Sequence, residues 1–157
     1  MPYSHNSQDL HIVPCLAPVD TTNVTAVSDV IDAGDCTHVQ FLIYFGALDV
    51  AGVFNVYECD DNVPTTPTAT ANFHYRWSAV TGTDLMGAVT AGTLATAYAG
   101  TEDGSILVID IDPADLTQGF PYVCVDVNPT AGAANLIAMI ALVTPRYSQN
   151  IVPSVVD

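Results

Sequence analysis

Three carboxylates near the end of one apolar segment come nearest to a metal site in this chain. Asp110, Asp112 and Asp115 close the strand predicted at residues 104–111. Oxygen groups of this kind suit Ca²⁺, which takes about six to eight oxygen ligands. The spacing lacks the D-x-D-x-D-G pattern of calcium loops, and Asp112 and Asp115 have a simpler role as negative charges at a helix start. The three residues are therefore a weak calcium candidate.

The histidines and cysteines show no spacing that is typical of a metal site. The histidines form no i, i+2 or i, i+4 pair, and the cysteines form no C-x-x-C motif. We expect free, buried thiols that pack as small hydrophobic groups, while disulfide pairing stays open. The residues concerned are His5, His11, His38, His74, Cys15, Cys36, Cys59 and Cys124.

Patterns for nucleophilic or phosphoryl chemistry are absent from the sequence. The chain has no G-x-S-x-G elbow and no Gly-rich loop followed by Lys-Ser or Lys-Thr. A glycosidase-type carboxylate pair is defined by a separation of ~5–9.5 Å in space, which a sequence does not give. We therefore expect a protein without enzymatic activity and without a cofactor.

One aromatic cluster contains a cation, Phe73-His74-Tyr75-Arg76-Trp77. An aromatic platform can bind sugars, and an arginine over a tryptophan can form a cation–π contact. The period of two fits a core face equally well, with the three aromatic rings directed inward and His74 and Arg76 outward. We favour the core interpretation.

Arg76 and Arg146 are the only cationic residues, and there is no lysine. We expect each arginine to pair with a carboxylate. Together with the adjacent Trp77 and Tyr147, they are also candidate interface anchors, because Arg, Trp and Tyr are enriched where binding energy concentrates.

The charge balance of the 157-residue chain excludes several partners. Its formal net charge is -15, with 17 acidic residues. Nucleic-acid binding depends on Lys and Arg to neutralise phosphates, so neither DNA, RNA nor an anionic membrane is an expected partner. With 12% charged and 50% hydrophobic residues, the chain is also unlike an acidic disordered tail.

Short β-branched and aromatic segments, separated by Gly, Pro and Thr, predict a chain of strands. The predicted strands span residues 10–17, 23–31, 37–45, 53–59, 72–80, 104–111, 120–127 and 133–144. Pro14 and Pro18 favour a sheet edge for the first. Residues 37–45 are almost continuously apolar, which predicts cover on both faces. Residues 81–100 carry little pattern, and Asp112 before Pro113 predicts one helical turn near 113–117.

These elements predict an all-β fold, a single-domain β-sandwich or barrel of about eight strands. A jelly roll is one fold of this kind. The domain would cover residues 11–147, between a flexible N-terminal arm at 1–10 and a C-terminal tail at 148–157. The N-terminus lacks the basic and apolar regions of a secretory signal, and no apolar stretch reaches the ~18–20 residues of a membrane span. We expect a product made in the cytoplasm.

Three segments resemble one group of known proteins. They are Asp35-Cys-Thr-His-Val-Gln-Phe-Leu-Ile-Tyr-Phe-Gly-Ala, Val53-Phe-Asn-Val-Tyr-Glu-Cys-Asp-Asp and Ala138-Met-Ile-Ala-Leu-Val-Thr-Pro-Arg-Tyr147. Their order is similar to that in small structural proteins encoded among the head genes of tailed bacteriophages. The resemblance covers about residues 30–60 and 105–150, and does not extend to residues 81–100.

The resemblance implies a virion structural protein that decorates the capsid exterior and stabilises capsomer contacts. It also implies the major capsid protein as partner and a homo-oligomer, for which we expect a trimer. A neck or tail component is one alternative. The other is a carbohydrate-binding module that would use Trp77, Tyr75 and the Asp60-Asp61 loop.

Overall fold

The computed structural model describes residues 10–22, 24–63, 69–80, 83–130 and 134–147 and arranges them in two β-sheets. The predicted arm and tail fall on residues 1–9 and 148–157, which lie outside the described residues. The strands are β1 His11–Asp20, β2 Ala26–Val27, β3 Ile31–Asp32, β4 Cys36–Leu48, β5 Gly52–Cys59, β6 Ala69–Thr70, β7 His74–Trp77, β8 Thr90–Ala91, β9 Thr96–Tyr98, β10 Ser105–Ile111, β11 Tyr122–Pro129 and β12 Asn135–Pro145.

The strand order is that of a jelly roll. The first sheet has the order β1-β12-β4-β10-β7-β8, and the second has β2-β11-β5-β6, with β3 also on β11 and β9 also on β5. From β4 onward the long strands β4, β5, β10, β11 and β12 alternate between the sheets, and the paired strands are antiparallel. β2 and β3 both pair with β11, and β6 and β9 both pair with β5, so each pair counts as one strand of the sheet. Both sheets then have the strand order of a jelly roll, and β7 and β8 extend the first sheet beyond β10. The predicted all-β sandwich is confirmed.

The core lies between the sheets and is built from alternate residues. Val39, Phe41, Ile43 and Phe45 of β4 are fully buried. Phe54 and its neighbours on the second sheet meet them from the other side. Each such side chain contributes about 1.5–3 kcal/mol when it leaves water. The inward row of β4 therefore positions the rest of the first sheet.

The predicted cover on both faces of β4 is wrong. Its burial alternates, and Tyr44, between the buried Ile43 and Phe45, is 51% exposed. The outward residues His38, Gln40, Leu42 and Tyr44 carry no acidic group and no Lys or Arg, so the segment looked almost continuously apolar. No second layer covers that side in the described part of the chain. The central strand thus has one core face and one open face.

The predicted strand at 23–31 is two short strands, β2 and β3, joined by a crossing segment. The Ser28 N–H donates to the Val125 carbonyl in the second sheet, and the Asp29 N–H donates to the Cys15 carbonyl in the first. The chain therefore passes from one sheet to the other, which no period-two pattern reveals.

Two local predictions are confirmed by the backbone. β1, with Pro14 and Pro18, is an edge strand, where a missing N–H costs no ladder hydrogen bond. The helical turn is a 3-10 turn at Pro113–Asp115, and Asp112 caps it by accepting a 2.9 Å hydrogen bond from the Ala114 N–H. The weakly patterned residues 81–100 contain β8, β9 and an Ala95 with a positive φ of 57°.

Candidate interaction surface

The outward side of the first sheet is an exposed apolar surface, which we call the outer face. Five large apolar side chains on it are more than a third exposed: Ile12 58%, Tyr44 51%, Leu136 46%, Ile140 42% and Ile106 38%. Leu42, Ala138 and Leu142 between them are half-buried. Contiguous apolar surface of this kind is a mark of protein–protein contact.

Strand register brings these side chains into rows. Val108 of β10 lies opposite Leu42 of β4 and Arg76 of β7, and Leu42 lies opposite Ile140 of β12. Side chains directly opposite one another are about 4.5–5.5 Å apart at Cβ, so each row is a continuous strip. Residues separated by about a hundred positions in the chain therefore share one surface.

The outer face is nearly free of negative charge. The described residues contain 15 of the 17 carboxylates, since Asp9 and Asp157 lie outside them. Only Asp20 and Asp110 stand in strands of the first sheet. The strong net charge of the chain is therefore segregated away from the apolar surface.

Asp110 is the polar centre of the outer face. Its Oδ1 accepts a 2.6 Å hydrogen bond from Gln40 Nε2 and lies 3.1 Å from His38 Nε2. The calcium candidate gains no support, since Asp112 is occupied as a helix cap and Asp115 is exposed. Among the described residues, no group of three or more His, Cys, Asp or Glu side chains is placed to hold a metal ion.

Arg76 stands on the outer face beside Val108 and is half-buried. Its buried Nε has no hydrogen-bond partner among the residues that the structure describes. Within the described residues the sole ion pair within 4.0 Å is His38–Asp110, so the expected pairing of Arg76 and Arg146 with carboxylates is not found there. Arg76, predicted to be an interface anchor, therefore presents an uncompensated guanidinium.

Trp77, the adjacent anchor candidate, points to the other side of the sheet. Its ring centroid lies 5.1 Å from that of Phe45 and 6.4 Å from that of Phe54, among rings of both sheets. Phe73 and Tyr75 pack in the same layer. The core interpretation of the aromatic cluster is confirmed, and the carbohydrate platform loses its rings. Asp60 and Asp61 form an exposed turn after β5.

Arg146 and Tyr147 follow β12 at one end of the sandwich, and both are exposed. The Arg146 N–H donates to the Asp35 carbonyl. Its side chain lines an open cleft of about 180 Å³ together with Gly34, Leu116 and Phe120. The structure does not bring this pair into the outer face, so the four predicted anchors fall in three places.

The second sheet carries a small polar network outside the core. Asn55 Nδ2 donates a 2.6 Å hydrogen bond to Asp126 Oδ1, and Asn55 Oδ1 accepts from the Ala95 N–H at 2.7 Å. Burial raises the pKa of Asp126, although hydrogen bonds from Asn55 and Tyr57 oppose that rise. This network fixes the Ala95 turn to β5 and β11.

All four cysteines are buried free thiols, as expected. Burial raises the pKa of Cys15 to about 12 and that of Cys36 to about 11. Cys59 and Cys124 contact each other in a small cluster with Val30, and burial raises the pKa of both thiols. Thiols held in the protonated form are poor nucleophiles and poor metal ligands.

Sequence reasoning missed Tyr44 and Ile140 as surface residues. Each lies in an almost wholly apolar segment. In β4 the polar His38 and Gln40 mark the outward side and could have identified Tyr44, whereas β12 offers no such signal around Ile140. Within β12 the alternate residues Ile137, Met139, Ala141 and Val143 are fully buried. The residues between them, Ile140 included, therefore point outward.

Comparisons with known proteins give little further information. No protein-family model matches the chain, and no curated protein sequence matches it. A solved structure to which the chain is similar is that of the SPBc2 prophage-derived protein YomS, with a TM-score of 0.43 and 16% identity over 85% of this chain and 93% of that one. No functional conclusion is drawn from this likeness. Among the described residues, no helix is long and apolar enough to cross a membrane.

Proposed function

We propose that the chain is a non-enzymatic structural protein of a virion, bound to the capsid exterior as a decoration protein that stabilises contacts between capsomers. The observation that carries this proposal is the outer face. Tyr44, Ile140 and their neighbours form an apolar surface with few charged groups on an otherwise strongly anionic domain. A protein that works by contact with other proteins needs such a surface, whereas catalysis would need a convergent set of reactive groups.

The distribution of charge supports the exterior of the particle. A shell filled with nucleic acid has an anionic interior, which repels a chain of net charge -15. The outside of the shell imposes no such penalty. Jelly rolls serve many functions, so the proposed exterior position rests on the charge of the chain and not on its fold.

The experiment is to purify particles from the phage that encodes the chain and to count its copies by mass spectrometry against the major capsid protein. Decoration predicts copies in a fixed ratio to capsomers, reachable by antibody on intact particles. The chain has no lysine, so amine-reactive labels are unsuitable. About a dozen copies or fewer, as in a closed ring, would overturn decoration in favour of a neck or tail component.

A pair of matched variants tests the role of the outer face. Ile140→Asp places a charge on that face, and Leu94→Asp places the same charge at a 58% exposed apolar position in the turn before β9. We expect Ile140→Asp to lose incorporation into particles while Leu94→Asp retains it. Equal incorporation of both folded variants would refute the role of the outer face.

A further inference from the structure

We propose that the outer face binds a second copy of this chain, through a two-fold interface in which Arg76 of each copy pairs with Asp110 of the other. The inference rests on the proposed function only in so far as both treat the outer face as a protein-binding surface. It names a second copy as the occupant of that surface, in a dimer rather than the trimer expected from the resemblance. The capsid would then bind the dimer, and incorporation would depend on the outer face through dimerisation.

The two charged groups of the outer face are both incompletely paired. The Arg76 guanidinium has no carboxylate within 4.0 Å among the described residues. Asp110 uses only Oδ1 for His38 and Gln40, so its Oδ2 has no partner in the described part of the chain. One copy therefore presents both a free cation and half of a free carboxylate.

Their placement suits a two-fold axis. Arg76 lies opposite Val108 and Asp110 lies opposite His74, so Arg76 and Asp110 are diagonal neighbours across β7 and β10. In a two-fold interface residue i contacts residue j, and j contacts i. One rotation therefore makes two arginine–carboxylate pairs, each with a charge-assisted hydrogen bond to Asp110 Oδ2.

The outer face approaches the area that a dimer interface needs. Five strands about 4.8 Å apart, over the seven residues of β10 at about 3.4 Å each, cover roughly 570 Å² in plan. Side-chain relief adds to this area. Stable interfaces bury about 600–1,000 Å² on each partner, so the outer face by itself approaches the required size.

Most of the negative charges that repel two copies lie outside this contact. Of the 15 described carboxylates, 13 lie outside the strands of the first sheet. The remaining long-range repulsion between two anionic domains is screened over about 8 Å at physiological ionic strength. We therefore expect dimerisation to strengthen as salt increases from a low concentration.

The test is sedimentation equilibrium of the full chain and its variants. The wild type should reach a mass of twice 16.5 kDa. Arg76→Asp and Asp110→Arg should each weaken the dimer by about 30-fold or more, because each sets two like charges against each other across the interface. The double variant should recover most of that loss, as the pair is rebuilt with reversed signs.

Arg146→Asp is the matched control, since it changes the charge as Arg76→Asp does but lies off the outer face. Its dimer constant should change by less than about threefold, as expected of a charge at or beyond the rim. Thermal unfolding checks that each variant is folded. A wild type that stays monomeric, a trimer mass, or equal effects of Arg76→Asp and Arg146→Asp would overturn the inference.

The same samples separate this inference from the proposed function. A monomeric wild type that still binds shells in capsomer ratio would remove the dimer and leave decoration intact. A dimer that meets the charge-swap criteria but binds no shells would keep the dimer and remove decoration.

Discussion

Phe54→Ala tests the packing that turns the aromatic cluster inward. Phe54 is fully buried on β5 and contacts the rings of Tyr75 at 5.3 Å, Phe73 at 6.2 Å and Trp77 at 6.4 Å between centroids. Removal of a buried Phe side chain costs about 3–5 kcal/mol. Each lost aromatic pair is worth about 0.5–1.5 kcal/mol, and the three pairs are not additive. We therefore expect the free energy of unfolding to fall by about 4–5 kcal/mol.

The assay is urea unfolding followed by the fluorescence of Trp77, the only tryptophan in the chain. Because Trp77 contacts the mutated site, its emission should also shift to longer wavelength in the folded variant as water or mobility enters the cluster. The slope of the free energy against urea should stay unchanged, since both proteins expose nearly the same surface on unfolding.

Tyr44→Ala is the matched control, because Tyr44 is an aromatic residue of the other sheet and is 51% exposed. Its cost should stay below about 1 kcal/mol. A loss of less than about 1.5 kcal/mol for Phe54→Ala, well under the range for a buried Phe, would refute the reasoning. It would mean that the rings of β7 do not depend on the core.

Three further predictions concern buried polar groups. Burial raises the pKa of Asp126 above its ordinary 3.8, so its stabilising contribution is complete below pH 3.8 and is lost as pH rises through the folded pKa. Urea titrations should show Asp126→Asn gaining stability relative to wild type as pH rises through that folded pKa. A difference in unfolding free energy that stays constant with pH would contradict this. Because burial raises the thiol pKa values of Cys15 and Cys36, a disulfide reagent at mild alkaline pH should modify native protein far more slowly than urea-unfolded protein, and equal rates would contradict the buried assignment. Asn135 is fully buried, where its Oδ1 accepts a 3.0 Å hydrogen bond from the Asp49 N–H and its Nδ2 donates one of 3.3 Å to the Tyr98 hydroxyl. Asn135→Ala should lower the free energy of unfolding by about 2–4 kcal/mol in the same urea assay. A cost near zero would show that the network is dispensable.

Much of the fold could be predicted because local rules act within a few residues. Pro14 and Pro18 restrict β1 to an edge, Asp112 caps the turn that starts at Pro113, and period-two alternation turns Trp77 inward. Each of these effects depends on backbone donors or side-chain direction in one segment. They survive in any arrangement of the sheets.

The candidate site was less predictable, since it depends on register between distant segments. Four anchors were predicted, and Arg76 alone lies on the outer face. The break between β2 and β3 arises where the chain crosses between sheets, through contacts of Ser28 and Asp29 with remote strands. No local pattern encodes such a contact.

The sequence by itself determined most of the long strands, the capped turn, the inward aromatic face and the strong negative net charge. Only the tertiary structure decided that, among the described residues, the alternate face of β4 is left open, Arg76 reaches that face without a carboxylate, and Asp110 keeps one oxygen unpaired there. The physical reason is that alternation tells which residues share a face. Whether that face is covered depends on which strands pair and in what order, and this is a property of the whole chain.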